Sequence, residues 1–185
     1  MTTRDTILQA ALERFARFGY LGSSIQQIAD DVGTSKSSVL YHFDSKEALL
    51  AAAMQPAVDA LDSLVASLPE LHAEKAAAAP ALVTRFVDTL MQHSHAVSIF
   101  VTQRGALHDV SAIDHGREIV DRIASTLIAK APTTRMLTRL SIGLAGVAFI
   151  LAEPVDEALE RPGHEQMRDI FIETVIELCT PEENV

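Results

Sequence analysis

Apolar positions recur at three- and four-residue spacing along almost the whole chain, and no segment keeps the period of two that a half-buried strand requires. Ile7, Leu8, Ala11, Leu12, Phe15 and Phe18 fall on one face of a first helix, with Thr2 or Thr3 as its cap and Gly19 as its end. Ser24 and Gln27 stand in the order of a capping box and open a short second helix whose Ile25, Ile28, Ala29 and Val32 point inward. Gly33 stops that helix, since glycine tolerates the left-handed backbone of a tight exit. Thr34 or Ser35 can cap a third helix running through Phe43, and Asp44 or Ser45 a long fourth one beginning Lys46-Glu47-Ala48-Leu49-Leu50. Pro56 falls inside this last pattern and is expected to kink or divide it.

Farther along, Pro69 and the run from Ala76 to Pro80 read as a boundary. Helices are expected at roughly 81–95, 97–107, 114–130, 134–152 and 164–179, separated near Gly105, Pro132 and Arg161-Pro162-Gly163, with the last four residues frayed. There is no internal repeat. The pattern predicts an all-α protein: an N-terminal three-helix unit over residues 1–50 and a C-terminal helical domain over 51–185.

The segment Ile25 to Phe43 carries the most specific signal. Two short helices joined by a tight turn containing glycine make a helix-turn-helix. Ala29 is small where the two helices cross, Gly33 sits at the turn, and Val39 anchors the second helix. Ser35, Lys36, Ser37, Ser38, Tyr41 and His42 form that helix's outward face. Short hydrogen-bonding groups, one cation and two flat rings leave no large aliphatic group to block approach to a DNA major groove, about 12 Å wide.

Charge qualifies this picture. The net charge is −10, yet residues 1–50 hold five basic and six acidic groups, a net of −1, and the remainder ten basic and nineteen acidic, a net of −9. The larger domain would repel DNA, so any contact must come from the N-terminal unit and must use few cations, which predicts a shallow salt dependence per subunit. An apolar content of 48 % against 22 % charged residues is that of an ordinary globular chain. The longest apolar stretch, Ile142 to Ala152, is shorter than the roughly 20 residues a bilayer span needs, so no membrane association is expected. A lone Cys179 and no secretory leader point to a reducing, cytoplasmic setting.

Phe18-Gly19-Tyr20, Ile28-Ala29, Gly33-Thr34-Ser35-Lys36, His42-Phe43 and Ser45-Lys46-Glu47-Ala48-Leu49 occur in register. In these elements the whole of residues 4–50 resembles TetR-family transcriptional regulators; the remainder matches only in length and in its helical, apolar character. The resemblance implies that Lys36, Ser37 and Ser38 face base edges, with Gln26 reaching toward the groove. It implies that Ser24, Tyr41, His42 and Lys46 hold phosphates. Where the family commonly has a tyrosine two residues before the histidine, this chain has Leu40, so one phosphate contact is missing or passes to Tyr41. Packing of Tyr41 and His42 against the first helix is the alternative.

The larger domain is expected to dimerise and to sense. Gly143 and Gly146 stand three apart in an apolar helix, where glycine costs about 1 kcal/mol against alanine, so close approach of another helix is a plausible compensation. The apolar face of the final helix, with Ile170, Phe171, Val175, Ile176 and Leu178, is a second candidate. The resemblance implies that the last two helices, including Val147, pair with their twofold mates in a homodimer; intramolecular core is the other reading. For a small-molecule effector, Phe86, Leu90, Met91, Phe100, Val101, Leu107 and Leu127 offer apolar walls, and His93, Gln103, Arg104 and His108 polar anchors. Ordinary packing is the competing reading for each.

His93 and His95 lie on different helix faces without a Cys or carboxylate in step, so no metal or other cofactor is expected. No phosphate loop, nucleophile elbow or paired-carboxylate motif suggests an enzyme. The favoured function is a regulator, a repressor of a palindromic operator released by a small apolar ligand. The alternatives are a constitutive DNA binder and a helical small-molecule carrier without DNA binding.

Overall fold

The computed structural model describes residues 2–73, 78–103, 105, 107, 110–130, 133–152 and 162–179, with the side chains of 68–73, 78, 79 and 127–130 outside that description. Nine helices account for nearly all of it: α1 (Thr3–Phe18), α2 (Ile25–Asp31), α3 (Lys36–His42), α4 (Lys46–Ala73), α5 (Ala78–Gln92), α6 (Ser94–Gln103), α7 (Ser111–Lys130), α8 (Thr134–Ala152) and α9 (His164–Cys179). No strand occurs among the described residues.

The N-terminal helices begin where side-chain oxygens can take up free backbone donors. Thr2 and Asp5 form a full capping box on α1, and Ser24 and Gln27 form another on α2. Ser35 caps α3 by accepting from the Ser38 amide at 3.1 Å, and Ser45 does the same for Ala48 at the head of α4. At the end of α2, Gly33 adopts φ +68°, its amide reaches Asp30 O at 3.2 Å, and Thr34 reaches back to Ala29 O at 2.9 Å. This double return is a Schellman closure, and it turns the chain into α3.

No heavy atom lies within 4 Å of a Cβ added at Gly33, so only the left-handed backbone disfavours a side chain there. Gly33→Ala is therefore expected to cost about 1–2 kcal/mol in chemical denaturation. A cost near zero would mean that the turn relaxes to another conformation.

Two departures from the periodicity have physical reasons. Pro56 does not divide α4, which runs unbroken through it and through Pro69, because packing along both flanks holds the helix where one backbone donor is missing. Phe18 is 53 % exposed rather than inward. The guanidinium carbons of Arg14 and Arg17 both lie 5.1 Å from its ring centroid, giving the exposed face two cationic partners.

Two apolar cores result. The first joins Ile7, Phe15, Ile28 and Val39 to Leu49, Leu50 and Met54 of α4, and also to Ile99, Leu107 and Ile113 from the region of α6 and α7. The second gathers Leu64 of α4, Val83 and Val87 of α5, Val147 of α8, and Phe171 and Val175 of α9. Arg168 ties α9 to α5 through a bidentate pair with Asp88 at 2.5 and 3.0 Å. Asp62 of α4 takes His115 Nε2 at 2.9 Å and the Arg122 guanidinium, both from α7. Helix α4 thus belongs to both cores. By length and composition alone, residues 46–67 of α4 and the whole of α8 could also cross a bilayer; α8 reaches that length because its flanking turns add to the apolar run.

Candidate functional site

Helices α2 and α3 rest on the first core through Ile28, Ala29 and Val39, each fully buried. With the apolar side committed, the polar side of α3 must face outward. Ser35, Lys36 and Ser37 are exposed, Ser38 and His42 are half-buried, and Tyr41 is 84 % exposed. Tyr41 therefore does not pack on α1; its ring meets that of His42, edge to face at 5.3 Å. Two of the serines also shape the surface, since Ser35 Oγ lies 2.9 Å from Ser37 Oγ while capping the helix.

The supporting elements engage two of their own acid groups. Gln26, exposed on α2, donates to Asp30 at 2.8 Å, and Arg14 of α1 pairs with Asp31 at 2.6 Å. Ser24 is exposed and occupied as the α2 cap. At the other end, Lys46 Nζ sits 4.0 Å above the ring of Tyr20, where partial burial holds its ammonium below the usual lysine range. Tyr20 is buried and donates its hydroxyl to Glu47 at 2.7 Å. Burial first, and the neighbouring carboxylate second, push that phenol well above its ordinary value. The hydrogen bond from Tyr20 holds Glu47 below the usual carboxylate range. A cation that the motif reading did not single out, Arg4, lies 5.1 Å over Phe43 at the end of α3. Its only signal in the sequence was a basic residue in the first turn of α1.

A cavity of about 420 Å³ opens between α4, α5, α6, α7 and α8. Phe86, Leu90, His93, Phe100 and Val101 line it. The described lining contains no Asp, Glu, Lys or Arg, and its polar side chains are Thr89, His93 and Ser141. Burial holds the His93 imidazole below its ordinary range, favouring the neutral ring. Thr89 spends its hydroxyl proton on Arg85 O at 2.8 Å, inside its own helix.

Three other expected lining positions lie elsewhere. Met91 and Leu107 are buried in the second and first cores. Gln103 turns away from the cavity toward α1, where it donates to Phe15 O and accepts from the Tyr20 amide. Arg104, His108 and the side chain of Leu127 lie outside the described residues, as do Pro132, Arg161 and the run 74–77. No group of three or more His, Cys, Asp or Glu side chains able to hold a metal occurs among the described residues.

The glycine pair of α8 divides between two environments. A Cβ on Gly143 would come within 3.1 Å of Val175 Cγ1, so this glycine admits the chain's own α9. Val147, Phe171 and Val175 are buried on the same intramolecular face. Gly146 is open, and Ile170 is 41 % exposed. From sequence, interface and intramolecular core are both open for each of these residues; helix α8 is apolar around much of its circumference, so periodicity alone does not orient it. An outer stripe remains uncovered: Ile142, Phe149 and Ile150 on α8, and Ile170 and Leu178 on α9, all between 38 % and 62 % exposed.

Residues 7–53 match the family of bacterial regulatory proteins of the tetR type. Among curated proteins, the chain is 45 % identical over 56 residues to the HTH-type transcriptional regulator RutR of Escherichia coli, covering 30 % of this chain and 26 % of that one. It is 30 % identical over 101 residues to the HTH-type transcriptional repressor NicS of Pseudomonas putida, covering 55 % and 48 %. The matches thus span about a quarter to a half of these relatives' length. Over the whole chain the fold is shared with the ketosteroid transcriptional regulator KstR2 of Mycobacterium tuberculosis, with a TM-score of 0.75, 14 % identity, and coverage of 98 % and 96 %. It is also shared with the TetR-family member SCO3833 of Streptomyces coelicolor, with a TM-score of 0.68, 23 % identity, and coverage of 95 % and 91 %.

Proposed function

We propose that this TetR-family DNA-binding regulator works as a cytoplasmic homodimer on a twofold-symmetric operator, blocks transcription there, and releases it when an uncharged, mainly apolar molecule enters the cavity. The observation that carries the reading is the outer face of α3, small, polar and exposed above a fully buried Val39. A helix seated this way can enter a major groove with its first turn, while groups at either side meet the backbone.

In this reading Lys36, Ser37 and Ser38 address base edges, with Ser35 at their helix start and Gln26 alongside. Ser24, Tyr41, His42 and Lys46 hold phosphates, and the cation of Arg4 adds to them. DNA-facing roles fall within residues 1–50; sensing and dimerisation fall within 51–185. The outer stripe on α8 and α9 is where a second copy docks, because an apolar face of that extent is not left to water. Gly146 and Ile170 belong to it, whereas Gly143, Val147, Phe171 and Val175 support it from beneath. A dimer places two short recognition helices about 34–36 Å apart, which one copy cannot do.

The cavity supports the ligand class. Among the described lining residues none carries a charge, and an ion set against them would lose its hydration uncompensated, which favours a neutral occupant. Phe86, Leu90 and Phe100 contact its apolar body, and neutral His93 makes one hydrogen bond. A ligand of this kind acts only through different affinities for the DNA-bound and free conformations.

Footprinting on the DNA upstream of the protein's own gene tests the reading, with protection of a symmetric site expected. No protection at low salt by a folded dimer would favour the carrier. Lys36→Ala is expected to weaken operator binding by about 1–3 kcal/mol and leave the dimer intact, measured by fluorescence anisotropy across salt concentrations. Unchanged affinity would remove Lys36 from the reading face.

A further inference from the structure

Besides its apolar packing on the first core, the end of α6 hydrogen-bonds to the N-terminal unit through one amide. Gln103 Nε2 donates to Phe15 O at 2.9 Å, and its Oε1 accepts from the Tyr20 amide at 2.6 Å. These two backbone groups flank the bend at Gly19, where α1 ends with φ +78°. One side chain from more than eighty positions away thus braces a turn that also carries its own bonds, from the Gly19 amide to Phe15 O and from Ser23 to Gly19 O and Tyr20 O. Both halves of its amide are used: the NH2 group donates while the carbonyl oxygen accepts.

The helix that carries Gln103 also lines the cavity. Phe100 stands one helical turn before Gln103 on α6, with Val97 a further turn back, and both border the cavity. On the far side of the clasp, Tyr20 donates to Glu47 and lies beneath Lys46, at the start of α4. A displacement of α6 thus meets the DNA-facing unit at Tyr20, before reaching it through the length of α4.

We propose that Gln103 is a positioning residue that transmits the state of the cavity to the DNA-binding unit, by clasping the Phe15–Tyr20 turn from the end of α6. This rests on the DNA-binding reading above. It requires α6 to shift when the cavity fills, and the packing around Phe100 shows how that can be brought about. A Cβ on Gly116 of α7 would come within 3.0 Å of the Phe100 Cε2 atom, so one added methyl group makes this ring, borne by α6, give by a few tenths of an ångström. Alanine is also the better helix former, so the change leaves α7 intact.

The test is a double-mutant cycle on the full-length dimer, with operator affinity as the readout and the methyl group as the probe. Gly116→Ala is expected to weaken operator binding about fivefold with Gln103 present, and less than twofold in the Gln103→Ala background, a coupling of ordinary size for such systems. A purely structural Gln103 would leave the two effects equal, and equal effects overturn the proposal. Gln103→Glu, which accepts from Tyr20 but cannot donate to Phe15, is expected to retain part of the coupling. Amide hydrogen exchange reads the clasp without DNA: exchange at Tyr20 should quicken in Gln103→Ala and in Gly116→Ala. If the wild-type protein bound no duplex, the DNA-binding reading would fail. Exchange would then decide the coupling alone, and an unchanged Tyr20 amide in Gly116→Ala would overturn it.

Discussion

Phe15→Ala is expected to remove about 3–5 kcal/mol of stability, the range for truncating a fully enclosed aromatic side chain. The ring is 0 % exposed, at the centre of the core that joins the N-terminal helices to α4, α6 and α7. Its centroid lies 5.4 Å from that of Tyr20, a tilted pair, so the substitution also loosens the residue that buttresses Lys46. A domain typically has 5–15 kcal/mol in all, so the loss takes a large share of it. Urea denaturation followed by circular dichroism measures the change. A loss below about 1 kcal/mol would mean that this core is loosely packed and collapses around the gap.

The second large effect is expected at Ile142. This residue is 62 % exposed and is not part of the cavity wall. Gly146, Phe149 and Ile150 follow it at four, seven and eight positions, which places all four on one stripe of α8. The stripe carries no charge, and the open space over Gly146 lets a partner helix approach closely. Ile142→Glu would bury a carboxylate in an apolar face wherever two such faces meet. Sedimentation velocity should show a monomer, and operator affinity should fall at least about 100-fold, roughly 2.7 kcal/mol, once the two half-sites are no longer engaged together. A dimer of unchanged strength would move the interface away from this stripe.

How far each feature could be read from the sequence follows from the range of the forces that make it. The N-terminal unit is built from local devices: Thr2 with Asp5, Ser24 with Gln27, and Gly33 between two short helices act within a few residues of themselves. Their spacing was therefore sufficient to outline α1, α2 and α3 and the outward side of α3. The positions of α8 and α9 were also legible, because Pro162 and Gly163 bound a clear apolar period. What α8 buries was not, since Gly143 and Gly146 look alike in sequence and differ only in whether Val175 lies opposite. Gln103 reads as a polar residue closing an apolar helix, and nothing within ten residues hints that its partners are Phe15 and Tyr20. Phe18 satisfied the inward period, yet two arginines hold it at the surface.

The first core has a consequence for how such proteins can be recombined. Residues 7–53 match the family pattern, which suggests a detachable head that could be exchanged between relatives. Yet Ala96, Ile99, Leu107, Val110, Ala112 and Ile113 fill the same core as Ile7, Phe15 and Val39. A hybrid joined at residue 50 would set this head against foreign side chains at all six positions, and close packing tolerates few such mismatches. Under the proposed function, a new operator preference is therefore easier to acquire through changes at exposed positions of α3 such as Lys36 and Tyr41 than through transplantation of the whole unit.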